Sequence, residues 1–387
     1  MHQPTLASII ISNYNYARFL GEAIDSALNQ SYTNVEVIVV DDGSADDSRE
    51  VIGSYGNRIT SLLKENGGMA SAWNTGFRAS RGEVILFLDA DDTLAAHTFE
   101  EAIEYFEDEK IVKVHWPVWE VDANNRKTGR LLPGEILPEG DWQEAVIAEG
   151  PDALVFPPIH GNAWSRRFLE KVFPIPEREF RQHSDTYLMT LAPVYGTIRK
   201  SSQPRGFYRM HGGNDFACLA ADEKTERNLE VYDSRCAALR SCLERVGVAV
   251  DPQRWKDENS HYKWMKWQHL SAMEIKALVP HGSTFILVDE DNWGEKTGNS
   301  EIVGGRHSVP FLEHNGEYWG PPTDDATAIS ELERLRRDGA TFIVFAWPGF
   351  WWMEYYSGFA SHLRGNYRAV VENERVVVFN LNGGAAS

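Results

Sequence analysis

The sequence predicts an α/β protein whose first half holds a mostly parallel sheet flanked by helices. Three observations carry this. From Ala7 to Glu109, short apolar runs rich in β-branched residues alternate with amphipathic helical stretches, the pattern of strands joined by crossover helices. The strand-like runs are mostly apolar, as strands covered on both faces are. After Pro280, beyond a charge-rich helical stretch, the same alternation returns.

Taken in order, Ala7–Ser12 (ASIIIS) reads as the first buried strand. Phe19, Leu20, Ala23, Ile24, Ala27 and Leu28 fall at helical spacing, and Val35–Val40 (VEVIVV) reads as the second strand. Asp41-Asp42-Gly43-Ser44 forms a turn, Asp46–Tyr55 a helix and Ile59–Leu63 a strand. Met69–Ala79 is helical until Arg81-Gly82 breaks it, and Val84–Leu88 is a strongly apolar strand ending at Asp89. Thr98–Glu109 reads as an acidic amphipathic helix. The mixed middle holds a strand over Val112–Trp119, a Pro/Gly-rich stretch at Leu132–Gly140, and helices at Ser165–Val172 and Ser184–Leu191. Asp222–Leu278 is helical, broken at Gly247–Pro252. Strands at Thr284–Val288, Thr341–Ala346 and Arg375–Leu381, with helices at Ala326–Arg337 and Phe350–Leu363, complete the chain. The expected organisation is a first domain over 1–215, a helical connector over 216–279 and a small α/β domain over 280–387 with no assigned role.

Charge narrows the function. Against 38 Lys and Arg stand 57 Asp and Glu, a net charge of -19. No basic stripe offsets this, so nucleic acid is not an expected partner. A phosphorylated substrate would need a local cation. Cys218, Cys236 and Cys242 have neither disulfide-framework nor zinc spacing and read as reduced thiols. Met1-His-Gln-Pro-Thr lacks the basic-then-apolar order of a signal peptide. No window reaches the roughly 20 apolar residues of a membrane span. The expected location is the cytoplasm, with peripheral membrane contact left open.

Carboxylates gather where strands end, and ligands of such sheets bind beyond those ends. Asp42 can accept a hydrogen bond from a base N–H or a ribose hydroxyl, with Gly43 allowing close backbone approach. Its alternative is to cap the next helix. Asp89-Ala90-Asp91-Asp92 sets three carboxylates after a buried strand, a costly arrangement without a cation. A hard divalent ion, Mn2+ or Mg2+, would neutralise them and bind diphosphate oxygens. The alternative is again an acidic helix cap.

In this order and spacing, SIIISNYNYARFLGEAIDSALNQSYTNVEVIVVDDGSADDS and NGGMASAWNTGFRASRGEVILFLDADD resemble a family 2 glycosyltransferase of GT-A fold, closely over Ala7–Thr93 and more weakly to about Asn214. The resemblance implies that Ser12, Tyr14 and Asn15 hold the nucleotide and that Asp42 reads the base. It sets Asn66–Ala70, with Gly68, near the ribose and diphosphate. Many relatives carry a basic residue around Gly68 and this chain does not, so Lys64 or the metal would compensate. Asp89 and Asp91 match the D-x-D residues that bind ribose and metal, and Asp92 is an alternative ligand. Asp185, in His183-Ser184-Asp185, matches the general base for the acceptor hydroxyl, with a helix N-cap as its alternative. His160-Gly161-Asn162-Ala163-Trp164 resembles an acceptor-side loop in which Asn162 and Trp164 meet a sugar, or else Trp164 is core. Tyr208–Asn214 resembles a Y-R-x-H ending that brings His211 to the metal or diphosphate, or else leaves it structural.

The implied activity is transfer, with inversion, from a nucleoside-diphosphate sugar to a carbohydrate or glycolipid acceptor, in polysaccharide or glycoconjugate synthesis. A non-catalytic carbohydrate- or nucleotide-binding module is the alternative, motivated by the aromatic segment Trp347–Phe359. That segment either stacks on carbohydrate or forms a core helix. A nucleotidyltransferase would need a Gly-rich basic loop after its first strand, and SNYNYARF lacks one.

Overall fold

The structure, a computed structural model, describes residues 4–213, 219, 221–290, 292–293, 303–314 and 317–382; Asn214 and Cys218 lie outside them. The chain forms two compact units, Met1–Ala217 with Glu230–Asn259, and Cys218–Leu229 with Ser260–Ser387. The stretch read as one connector is thus shared between the two.

The first unit runs β1 Ala7–Asn13, α1 Ala17–Leu28, β2 Val35–Asp41, α2 Ser48–Ser54, β3 Thr60–Leu63, α3 Met69–Ala79, β4 Val84–Asp89, β5 Thr93–Leu94 and α4 Thr98–Tyr105. It continues with β6 Ile111–His115, β7 Val118–Val121, β8 Lys127–Leu132, α5 Gln143–Glu149, β9 Asn162–Ser165, α6 Arg166–Val172, α7 Ser184–Tyr195, β10 Thr197–Lys200 and β11 Gly206–Arg209. Helix α8 (Ala221–Arg245) contributes its later part here, followed by α9 (Pro252–Glu258). Among the described residues these form a seven-stranded sheet, β10-β6-β9-β4-β1-β2-β3, and a four-stranded sheet, β5-β11-β7-β8.

Strands β1 to β4 are mutually parallel where they pair, and β9 runs antiparallel between β4 and β6. Ile9, Ile11, Leu86 and Leu88 bury against Leu20 and Ile24 of α1 and Phe99 of α4. On the opposite face α3 lies close: a Cβ on Gly76 would come within 2.4 Å of Ile10 Cγ2. Strand order reverses between β1 and β4, since β2 and β3 lie to one side and β4 to the other. That is the switch point where α/β sheets open a crevice.

One expected strand, Val112–Trp119, is two. Pro117 has no N–H to give a ladder, and the chain leaves the large sheet after β6 and enters the small one at β7. The acidic helix expected to Glu109 ends at Tyr105.

In the second unit, α10 (Ser260–Leu278) precedes β12 Thr284–Val288, β13 His307–Pro310, β14 Glu313–His314, β15 Glu317–Tyr318, α11 Asp325–Arg337 and β16 Ala340–Ala346. Helices α12 Trp351–Tyr355 and α13 Ser357–Asn366 and strands β17 Arg368–Glu372 and β18 Val376–Asn380 follow. The sheet order is β13-β12-β16-β18-β17 among the described residues, with the first three strands parallel and the last two antiparallel. One face buries Phe285, Val344 and Val378 against Ile275 of α10. The other buries Ile343, Phe345 and Phe379 against Leu332, Trp352 and Phe359. The helix expected over Phe350–Leu363 breaks at Tyr356, whose backbone (φ -95°, ψ 68°) leaves the helical region.

Candidate active site

The parallel strands deliver the predicted residues to one edge by register alone. Ser12 pairs with Asp89 across β1 and β4, and Asn13 with Asp41 across β1 and β2. Ser12 Oγ donates to Asp89 Oδ1 at 3.4 Å and accepts from Trp73 Nε1 at 3.2 Å. Asn15 takes a left-handed φ of 60°; its Oδ1 accepts from Ala45 N at 2.8 Å, and its N–H donates to Ser44 Oγ at 2.9 Å. Tyr14 stands exposed between these anchors.

The two aspartates of the first cluster divide their work. Asp41 is fully buried and structural, bound by Asn13 Nδ2 and Arg49 Nε, each at 3.0 Å. Asp42 does not cap α2. Its Oδ1 accepts from Lys64 Nζ at 2.5 Å and Gly67 N at 3.0 Å, and its Oδ2 from Gly68 N at 2.6 Å. The carboxylate, buried, therefore folds the loop ahead of α3 around itself, so the contacts it makes are with this loop and not the base contact expected of it. Gly68 has a φ of 88°, and a Cβ there would meet Arg181 O at 2.7 Å. Glycine is required on both counts.

Arg181 is a residue the sequence reading missed. Its carbonyl accepts from Met69 N at 2.7 Å, while its guanidinium donates to Gly67 O at 3.1 Å and Asn66 Oδ1 at 2.5 Å. Arg181, on the segment that leads into α7, thus brings a cation beside the Asn66–Gly68 stretch. Its only sequence signal is its place four residues before Asp185.

The D-x-D turn holds its carboxylates under strain of charge. Burial and then the charges of Asp91, Asp92 and Asp185 push Asp89 well above the usual carboxylate range, against the Ser12 hydrogen bond. Burial and Asp92 raise Asp91 to about 6, opposed by His211. His211 Nε2 lies 3.0 Å from Asp91 Oδ2, its ring packed on Phe19 at 4.8 Å and Tyr16 at 5.7 Å. Asp185 stands in the first turn of α7, half-buried. Burial raises its pKa, with His183 and Arg235 opposing. The helix is capped at His183 without a side-chain bond, so Asp185 is not the N-cap. After burial, the charges of Asp92, Asp89, Asp91 and Asp185 together push the Tyr208 phenol up.

Asp91 and His211 would supply two of the ligands that a divalent cation needs. Asp91 and His211 offer a carboxylate and an imidazole already in contact, and mutually repelling carboxylates surround them. Among the described residues no group of three or more His, Cys, Asp or Glu is placed to hold a metal ion.

Three expectations need correction. Asp92 does not face this site as a ligand. It is buried, its Oδ1 accepts from Arg209 N at 2.8 Å, and its Oδ2 lies 3.0 Å from His160 Nδ1. Asn162 and Trp164 are fully buried in β9 and cannot meet a sugar. Asn162 Nδ2 donates to Pro158 O and Ile159 O, while Trp164 packs on Phe168 at 5.7 Å. Strand β9 lies inside the large sheet, between β4 and β6, which buries both.

A largely parallel sheet whose order reverses beside these carboxylates is the GT-A arrangement of nucleotide-diphospho-sugar transferases. The chain belongs to glycosyltransferase family 2: it is 33% identical over 280 residues to an uncharacterized glycosyltransferase of Nostoc sp. (strain PCC 7120), covering 70% of this chain and 85% of that one. The Glycosyl transferase family 2 model matches residues 8–173. The minor teichoic acid biosynthesis protein GgaB of Bacillus subtilis is 38% identical over 109 residues, 27% of this chain and 12% of its own length. Among solved structures, the mannosyltransferase PcManGT of Pyrobaculum calidifontis, in complex with GDP-Man and Mn2+, gives a TM-score of 0.46 at 16% identity, covering 72% of this chain and 76% of that one. S. aureus TarS 1-349 in complex with UDP gives 0.45 at 15% identity over 98% of each chain.

Proposed function

We propose that the chain moves a sugar from a nucleoside-diphosphate-sugar donor to the hydroxyl of a carbohydrate or glycolipid acceptor, with inversion, in polysaccharide or glycoconjugate synthesis. What supports this reading is that the charge of Asp185, at the start of α7, bears on Asp89, at the end of β4, although the two lie far apart in the chain. The likeness to a teichoic acid biosynthesis protein supports the polymer setting.

On the donor side, Ser12, Tyr14 and Asn15 line the nucleotide end of the crevice and Asp89 takes the ribose. Asp42 and Gly68 shape the loop under the diphosphate, with Lys64 and Arg181 bringing positive charge to it. Asp91 and His211 would hold a Mn2+ or Mg2+ ion, whose charge would stabilise the departing diphosphate. Asp185 accepts the proton of the acceptor hydroxyl as the new C–O bond forms and the bond to the diphosphate breaks. Its raised pKa makes it a stronger base than an ordinary carboxylate.

Asp185→Asn tests the reading. It keeps the shape and removes the proton acceptor. Transfer is expected to fall roughly 10²-fold or more, with donor affinity by calorimetry unchanged. Near-normal transfer at saturating donor and acceptor would remove Asp185 from the chemistry.

A further inference from the structure

We propose that Arg235, on α8, is a positioning residue for the transfer reaction: it braces the helix that presents Asp185 and supplies a permanent positive charge to that carboxylate. The proposal rests on the reading of Asp185 as the base for the acceptor hydroxyl.

Helix α7 needs a brace from outside itself. It contains Pro193, which has no N–H, so its ladder lacks the bond from residue 193 to the carbonyl of Met189. Arg235 acts next to this gap. It is buried, and its Nε donates to Thr190 Oγ1 at 2.9 Å. Its other two nitrogens reach the segment between α5 and β9: one donates to Asp152 Oδ1 at 2.6 Å and the other to Pro151 O. The guanidinium also lies 5.6 Å over the Phe156 ring of that segment. One side chain thus ties α7 to a second segment through all three of its nitrogens. A lysine ammonium is a single point and cannot repeat that fork. Thr190 stands five residues beyond Asp185 on the same helix, so a shift of the helix at Thr190 is carried to the carboxylate. A displacement of about 1 Å is enough to cost a reaction roughly 10²-fold.

Charge adds to the geometry. Burial raises the pKa of Asp185, and the charges of His183, just ahead of α7, and then of Arg235 oppose this. Asp185 in turn pushes up Asp89, at the end of β4, and Tyr208, on β11. Of the two cations that favour the ionised carboxylate, an imidazole loses its charge near neutral pH, whereas a guanidinium keeps it. Arg235 is therefore the cation that persists wherever Asp185 has to act as a base. Its ion-pair partner Asp152 has a side chain 38% exposed. Water screens that negative charge more than the buried guanidinium.

The test is the pH profile of kcat/KM, with the full chain and Mn2+, for release of nucleoside diphosphate from UDP-glucose, GDP-mannose or TDP-glucose, water standing in for the acceptor hydroxyl. The acid limb of the profile reports protonation of the base, and Asp185→Asn should abolish it. Arg235→Met should lower the plateau about tenfold and move the acid limb up by about half a pH unit. Arg235→Lys keeps the charge and loses the fork, so it should return the limb to its wild-type position and restore only part of the plateau. Asp152→Asn, a change at the surface, should move the limb the other way, and it decides the matter if Arg235→Met does not fold. Donor affinity by calorimetry should be equal in all folded variants. A wild-type plateau in Arg235→Met would overturn the proposal. So would an unmoved limb in Arg235→Met and Asp152→Asn with only stability reduced, because Arg235 would then be a brace of the fold alone. A limb that survives Asp185→Asn, or a wild-type chain that turns over none of these donors, would instead overturn the reading of Asp185 on which the proposal rests.

Discussion

Asp91 and Asp92 are neighbours in sequence and do opposite things. Asp91 points to His211, whereas Asp92 turns inward and holds the Arg209 backbone. Arg209 in turn donates from Nε to Asp91 O at 2.8 Å, so the D-x-D turn and the strand leading to His211 are clasped together. Asp92→Asn sets an amide against His160 and loosens the clasp without removing a ligand. Mn2+ affinity by calorimetry or electron paramagnetic resonance should fall about 10- to 100-fold, the usual weight of residues behind a metal ligand; unchanged affinity would show that the clasp does not position the pair. At the loop over the donor, Arg181→Ala should weaken donor binding about tenfold, on the order of one charge-assisted hydrogen bond, and Arg181→Lys should restore part of it. Equal affinity in all three would leave Arg181 a loop brace only. The sequence singled out Ser12 and Asp89, at the ends of β1 and β4, and Asp185, in the first turn of α7, because strand ends and helix starts are marked locally. It could not separate Asp91 from Asp92, since a one-residue step in a turn decides which carboxylate faces out.

Strand β6 shows what an element hides. Lys113 is buried, with its Nζ 3.2 Å from Met189 Sδ and 5.4 Å above the Trp164 ring. Burial lowers its pKa from 10.5 to about 7. Burial first, and then the Lys113 charge, lowers His115 to about 2, against its hydrogen bond to Pro138 O. Between pH 7 and 10.5 the unfolded chain holds a lysine proton that the folded chain has given up. Stability therefore rises with pH across that window, and the full cost of the charge stands below it. Lys113→Met should be the more stable protein at pH 6, by on the order of 1 kcal/mol or more, with the difference shrinking toward pH 10. Denaturant melts at both pH values check this, and a pH-independent difference would refute it. The apolar run around Lys113 gave away the strand, but not that both of its faces would be covered there.

At the scale of the whole molecule, helices distant in sequence complete the first unit. In α8, Arg235 donates to Thr190 Oγ1 at 2.9 Å and Asp152 Oδ1 at 2.6 Å, and also to Pro151 O. Trp255 in α9 is buried, donates to Ile147 O at 3.0 Å, and lies within 2.6 Å of where a Cβ on Gly150 would stand. A fragment of residues 1–217 should therefore be less stable than one of 1–259 by at least about 3 kcal/mol, the scale of losing one buried Trp. Comparing their thermal melts tests this, and equal Tm values would show that α8 and α9 are dispensable. Among the described residues no helix is long and apolar enough to cross a membrane. What the sequence determined by itself was the α/β alternation, the carboxylates at the strand ends and the family, because periodicity and ordered motifs are local properties of the chain. The tertiary structure alone decided that Trp164 and Asn162 are core, that Arg181 reaches the Asn66–Gly68 loop, and that Trp351 and Tyr355 stay exposed while Trp352 and Tyr356 do not. Each of those outcomes depends on which distant segment packs against the residue, and burial by a distant segment leaves no trace in the local pattern.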